Sequence, residues 1–224
     1  MTRTPRVRLS LALAASAAIA MTALASPAHA VDPTPAQNAM LLQASDLPSS
    51  YGTPEDSSFT NVQKGGSFSS ACFAADYNNP ETTFEDQLDM FSSLDYPSGI
   101  SWNQSIAVYK SKAQAAKAFG EMTKSLSKCQ GSATTTKGDD NVTIPARTTT
   151  VTAKVKDGVI VATLKATSKA GAKTMYANAY LRKLTARVGN ATESLTIDSP
   201  KPITAAQKRT QDSTFAKLLA RYNG

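Results

Sequence analysis

The stretch TVTAKVKDGVIVATLK, residues 150–165, decides the architecture. Asp157-Gly158 is a two-residue turn of the kind that needs positive φ, and it is flanked on both sides by β-branched and alternating residues. Pairing outward from it sets Lys156 opposite Val159, Val155 opposite Ile160, Ala153 opposite Ala162 and Val151 opposite Leu164. The intervening pairs are Lys154 with Val161, Thr152 with Thr163 and Thr150 with Lys165. One face is apolar and the other is a Thr/Lys surface, which is an antiparallel hairpin with one side toward a core.

The pattern continues on both sides. Thr174 to Arg182 alternates with Met175, Ala177, Ala179 and Leu181 inward, and Tyr176, Asn178, Tyr180 and Arg182 outward. The phase then reverses, with Leu184, Ala186 and Val188 inward, so a bulge near Arg182-Lys183 is expected. Gly189-Asn190 turns the chain into a strand that runs to Ile197 and is broken by Pro200 and Pro202. Upstream, Trp102, Ile106 and Val108 alternate with Asn103, Ser105 and Ala107. Phe84 to Leu94 is compatible with helix or strand and is read as strand. A short strand is placed near Phe59 to Val62.

Two helices are marked at their starts. Ser111 with Gln114, and Thr204 with Gln207, have capping-box spacing, in which a hydroxyl and an amide satisfy orphan N–H groups. After Ser111, residues Ala115, Phe119, Met122, Leu126 and Cys129 recur at steps of four and three and line one face, with Gly131 as the stop. The last helix presents Phe215, Leu218, Leu219 and Tyr222. Near the N-terminus, Ala39 to Leu47 suggests a helical turn or two ended by Pro48. The expected fold is α+β: one antiparallel sheet with two main helices packed on one face, stapled by a single disulfide.

The first thirty residues stand apart. Arg3, Arg6 and Arg8 precede an apolar run from Leu9 to Ala25, and Ala28-His29-Ala30 offers small residues at the two subsites a signal peptidase reads. Residues 1–30 are read as a signal peptide cleaved after Ala30, 31–38 as a tether and 39–224 as one domain. The alternative, an uncleaved anchor, is disfavoured by the shortness of the run and by Pro27. No Cys lies near the cleavage point to take a lipid anchor, so the expected location is secreted. The remaining 194 residues carry a net charge of +4 and no His, which removes His-based triads and His-ligated metals. No cofactor and no metal site are expected. The whole chain is 41% hydrophobic, enough for a core.

Cys72 and Cys129 are the only cysteines. In an oxidising compartment an even count indicates a disulfide. Closing a loop of this length is worth about 4 kcal/mol in the chain-entropy account. A pair of free buried thiols is the alternative.

These residues together carry a resemblance. Leu41-Leu42, Asp46-Leu47-Pro48, a Cys, a strand ending Ala107-Val108-Tyr109, and a helix with Ala113, Ala116 and Phe119 closing on Cys129-Gln130-Gly131 resemble the PknH-like extracellular sensor domain. That domain occurs on actinobacterial receptor serine/threonine kinases and related exported proteins. Leu126 stands where the family often has Trp, and the kinase sensor domains carry two disulfides where this chain has cysteines for one. The resemblance implies a free-standing, non-enzymatic sensing or ligand-binding module.

Charge is segregated along the sequence. Residues 31–109 contain ten acids and one base, and residues 110–224 contain twenty bases and seven acids. Such asymmetry fits a basic face for an unknown small molecule or an anionic cell-envelope component, or else two halves that neutralise each other within one sheet. Tyr176, Tyr180, Lys154, Lys165 and Arg182 are the candidate ligand-binding set, since aromatic faces take sugar or lipid and cations take phosphate or carboxylate. Nucleic acid is not an expected partner, because no recognition motif is present. Nothing after residue 30 is apolar for long enough to span a bilayer.

The catalytic alternatives are thin. Ser125-Leu126-Ser127-Lys128 matches Ser-x-x-Lys without its partner motifs. Glu85, Asp86 and Asp89, near Phe84, Phe91 and Trp102, suggest a carboxylate-based hydrolase acting on wall material. Asp139-Asp140-Asn141 lacks the spaced ligands of a calcium loop. An inhibitor or adhesin acting through protein contacts is a third class. Mass mapping of the non-reduced protein is expected to find a peptide linking Cys72 to Cys129; two alkylatable thiols would refute the staple.

Overall fold

The Asp157-Gly158 turn forms with φ of 51° and 75°, and every cross-strand pair from Lys156–Val159 to Thr150–Lys165 is realised in register. This computed structural model describes residues 33–55, 58–64, 88–126, 130–137, 143–168 and 178–222. The expectations that fall on 1–30, on Cys72, Glu85 and Asp86, on Ser127, Lys128 and Cys129, on Asp139 to Asn141, and on Thr174 to Ala177 with Tyr176 lie outside the described residues.

The order of elements is α1 (Pro35–Met40), β1 (Phe59–Lys64), β2 (Leu88–Asp95), β3 (Ser101–Val108), α2 (Lys112–Ser125), β4 (Gly131–Lys137), β5 (Thr143–Lys156), β6 (Val159–Ser168), β7 (Ala179–Val188), β8 (Ala191–Ser199) and α3 (Ala205–Tyr222). The described strands form one antiparallel sheet in the order β1-β2-β3-β8-β7-β6-β5-β4. Two meanders, β1–β3 and β4–β8, meet side by side at the β3–β8 pair. The strand expected within 84–94 is present from Leu88. β4 and the start of β5 were not anticipated: their Thr-rich, weakly apolar sequence lacks the alternation that marks a half-buried strand.

The two long helices lie on opposite faces, not on one face as expected. Phe215 and Leu218 of α3 pack with Trp102, Leu184, Ala186, Leu195 and Ile197. Met122 and Leu126 of α2 pack with Ala153, Ile160 and Ala162, and Ala115 and Ala118 pack with Ala107 and Tyr109. The register puts these two sets on opposite sides of the sheet. Connectivity explains it. α2 joins β3 to β4, five strand spacings away or about 24 Å, and a 14-residue helix is about 21 Å long, so α2 must lie across the sheet. With that face occupied, α3 covers the other.

The same arrangement removes the expected bulge. β7 runs in unbroken register, against β6 from Ala179 to Ala186 and against β8 from Tyr180 to Val188. Leu181 and Ala179 pack toward Val151, Leu164 and Ala166 on one face, while Leu184 and Ala186 pack toward α3 on the other. The phase of the apolar pattern reverses because the covered face changes along the strand.

The helix starts differ in completeness. Thr204 and Gln207 form a full box, with the Thr204 N–H donating to Gln207 Oε1 at 2.7 Å and the Gln207 N–H to Thr204 Oγ1 at 3.2 Å. At α2 only the Ser111 half forms, and Gln114 Oε1 is buried without a partner. α1 begins at Pro35, inside the stretch expected to be a tether, with Thr34 as cap.

From Met40 to Tyr51 the chain is a strap over the α3 face, with single 3-10 turns at Ala44–Asp46, where a helical turn was expected, and at Ser49–Tyr51, and it inserts Leu41, Leu42 and Leu47 into the core. Its backbone is held by side chains. Buried Gln104 of β3 accepts from the Leu42 N–H at 2.5 Å and donates to the Met40 carbonyl at 3.2 Å and to Glu193 Oε1 at 2.9 Å. Ser92 Oγ donates to the Leu42 carbonyl, and Arg221 of α3 donates to the Leu41 carbonyl and pairs with Asp46.

Gly158→Val puts a β-branched residue at positive φ, and we expect a loss of about 1–2 kcal/mol in urea unfolding. Gln104→Leu keeps the volume but strands three buried polar groups; a loss of about 3 kcal/mol is expected in the same assay, with the m-value unchanged.

Candidate functional site

The Thr/Lys face of the hairpin remains uncovered beyond the edge of α3. Thr152, Lys154, Lys156 and Lys165 are exposed there. Cross-strand hydroxyl pairs stiffen it: Thr152 with Thr163 at 2.6 Å, Ser132 with Thr150 at 3.1 Å and Thr134 with Thr148 at 3.0 Å.

The structure brings together only part of the expected binding set. Lys165 and Tyr180 are direct cross-strand partners. Lys154 is one strand farther out and opposite Val161, four residues along β6 from Lys165 and so about 13 Å away. Arg182 is on the same face but is not available to a ligand in the expected way. It donates to Gln211 Oε1 at 2.6 Å and pairs with Asp212 at 2.8 Å, fastening α3 to β7. The sequence showed Arg182 in phase with Tyr180, but not that a helix would land on it.

A second concavity had no signal in the sequence. A groove of about 360 Å³ lies between the strap (Pro48, Ser50, Tyr51), the β2–β3 turn (Ser98, Ile100) and the first turns of α3. No lining residue is charged. Under it, Tyr51 meets Trp102 edge-on and leans against Tyr96, both at 5.5 Å between ring centroids. Burial raises the Tyr51 hydroxyl, with Tyr96 adding to the effect, and burial alone raises Tyr96. Trp102 is fully buried with its Nε1 unpartnered.

The shifted ionisable groups lie inside the sandwich. Glu193 of β8 is 0% exposed, and burial pushes its carboxyl up to about 7 against the lowering influence of Gln104 and Arg221. Tyr222 is raised to about 12 by burial and by Glu193. Lys183, on the opposite face of the sheet from Glu193, is lowered to about 8 by burial. Among the described residues, no cluster of His, Cys, Asp or Glu is arranged to hold a metal ion, and no helix is long and apolar enough to cross a membrane.

Strand order gathers bases at one end of the sheet: Lys137, Arg147, Lys154, Lys156, Lys165, Arg182, Lys183 and Arg187 lie on β4–β7, whereas β1–β3 carry Asp89, Asp95 and Lys64 and β8 carries Glu193 and Asp198. The strands of the two halves do not interleave, while an ion pair between the halves joins Asp46 of the strap to Arg221 of α3.

No curated protein sequence matches the chain. Among solved structures it is similar to the crystal structure of the extracellular domain of PknH from Mycobacterium tuberculosis. The TM-score is 0.53 at 14% identity, covering 81% of this chain and 93% of that one, which is a likeness of fold. The family model described as the PknH-like extracellular domain matches residues 33–192, from the residue before the α1 cap into β8. That span takes in the strap, β1 to β7 and the helix that crosses between the meanders, and on that ground the chain belongs to the PknH-like extracellular domain family.

Proposed function

We propose that this chain is an exported, sensor-like module that holds an anionic polymer of the cell envelope at the basic end of its sheet and leaves it chemically unchanged. The observation that carries this reading is the strand order, which gathers the bases of β4–β7 at one end of the sheet. Lys154, Lys156 and Lys165 are exposed on one face there, with no helix above them among the described residues. The spacing of Lys154 and Lys165, about 13 Å, suits a repeating polyanion better than one small anion, which would need convergent donors. Tyr180 beside Lys165 adds an aromatic edge for a sugar or glycerol repeat. The signal-like residues 1–30 and the family of extracellular domains support export. Carboxylate hydrolysis needs two carboxyl groups about 5–9.5 Å apart in a cleft, and the lining of the groove offers none.

Binding to a soluble anionic wall polymer, and separately to vesicles containing anionic phospholipid, is expected to weaken steeply as salt rises. The double reversal Lys154→Glu with Lys165→Glu is expected to cost about tenfold or more in affinity with unfolding unchanged. Tight binding to vesicles but not polymer would move the partner to the membrane surface. Affinity indifferent to salt and to the reversal would overturn the assignment.

A further inference from the structure

We infer that the strap from Met40 to Tyr51 is a proton-controlled latch: it stays docked while the Glu193 carboxyl is neutral and lifts when that carboxyl ionises. Glu193 is completely buried beneath the strap. One of its oxygens accepts from Gln104 Nε2, and the other has no partner. Gln104 is also the residue that grips the strap backbone at Met40 and Leu42, so the acid and the strap share one carboxamide.

The groups around Glu193 give an ionised carboxyl poor accommodation. β3 and β7 set Ile106 and Ala186 directly beside it, and β2 contributes Met90 and Ser92 to the same face; none of these titrates. α3 contributes Arg221 and Tyr222. The strap contributes Asp46, which already holds the Arg221 guanidinium. Arg221 is the cation whose charge favours ionised Glu193, and it is committed to the strap through Asp46 and the Leu41 carbonyl. An ionised Glu193 is relieved in one of two ways. Either Arg221 turns toward it and gives up the strap, or the strap lifts and water enters. Both undock the same segment. Undocking also removes Pro48, Ser50 and Tyr51 from one wall of the groove, so the latch controls whether that groove exists.

The carboxyl sets the direction of the switch. Its ordinary value is 4.5 and its docked value is about 7. The docked state therefore holds the proton more tightly, and docking is strongest below pH 4.5. It weakens as pH rises toward about 7 and changes no further above that.

The amide of Leu42, which donates to Gln104, is the reporter. Hydrogen-exchange protection factors, corrected for intrinsic pH dependence, are read on the purified protein. Protection across residues 40–47 is expected to fall by about tenfold per pH unit between pH 5 and 7 and then level off, while the hairpin at 150–165 stays constant. In Glu193→Gln the slope is expected to vanish with the strap still protected. Because that variant can fail to fold, the carboxyl of Glu193 is also titrated by carbon-13 NMR in the unaltered protein, with a midpoint near 7 expected. A flat strap profile, a slope retained in Glu193→Gln, or a midpoint in the ordinary range each overturns the latch.

Discussion

The structure turns on the carboxamide of Gln104. An irregular segment laid across a sheet exposes backbone N–H and C=O groups that no ladder satisfies, and burying them unpaired costs on the order of a kilocalorie or more per group. Leu41, Leu42 and Leu47 supply the apolar reason for the strap to sit down. Gln104 supplies the polar terms that allow it, because a planar amide offers an acceptor to Leu42 and donors to Met40 and Glu193 from one position. No apolar residue does this. A carboxylate in its place would be a second buried acid beside Glu193. Ser92 and Arg221 complete the set from β2 and α3, so the strap, the sheet and the last helix are tied at one point.

With the strap and α3 tied down on one side and α2 crossing the other, the middle of the sheet is covered on both faces, and here local pattern ceases to be a guide. The hairpin around Asp157-Gly158 was legible residue by residue, because turn chemistry and alternation are local properties. The capping box at Thr204 was legible for the same reason. The placement of α2 and α3 on opposite faces was not, since it depends on which strand is the edge. β7 shows the difference most clearly. Its inward set changes from Leu181 to Leu184 without any irregularity of backbone, because each face is core over a different part of the strand. Alternation assumes that one face is always wet, and under two helix layers that assumption fails.

Candidate binding residues were legible only to the extent that they depend on strand phase. Phase put Tyr180, Lys165 and Lys154 on one outward face, and Lys165 does adjoin Tyr180. Phase also put Arg182 there, but its guanidinium meets Gln211 and Asp212, some thirty residues away in sequence, and becomes a fastener for α3. The groove was invisible for a related reason. Its walls come from three segments spread between Pro48 and Thr210, and the one motif among them, the capping box of Thr204 and Gln207, marks a helix start and not a groove.

Charge and topology converge on one consequence. β8 returns to pair with β3, closing two sequential meanders into one sheet without mixing their strands. Had the strands of the halves alternated, acids and bases would face each other across neighbouring strands, where opposite charges contribute only a few tenths of a kilocalorie per pair. Keeping the meanders apart forgoes those small local gains and leaves the field of the bases on β4–β7 concentrated at that end of the sheet. A field of that kind does little for the fold and acts mainly on what approaches from outside. The joint at Gln104 and Glu193 lies at the β3–β8 seam, where the two meanders meet. The mechanical link to the strap thus sits on the pair of strands that joins the two meanders.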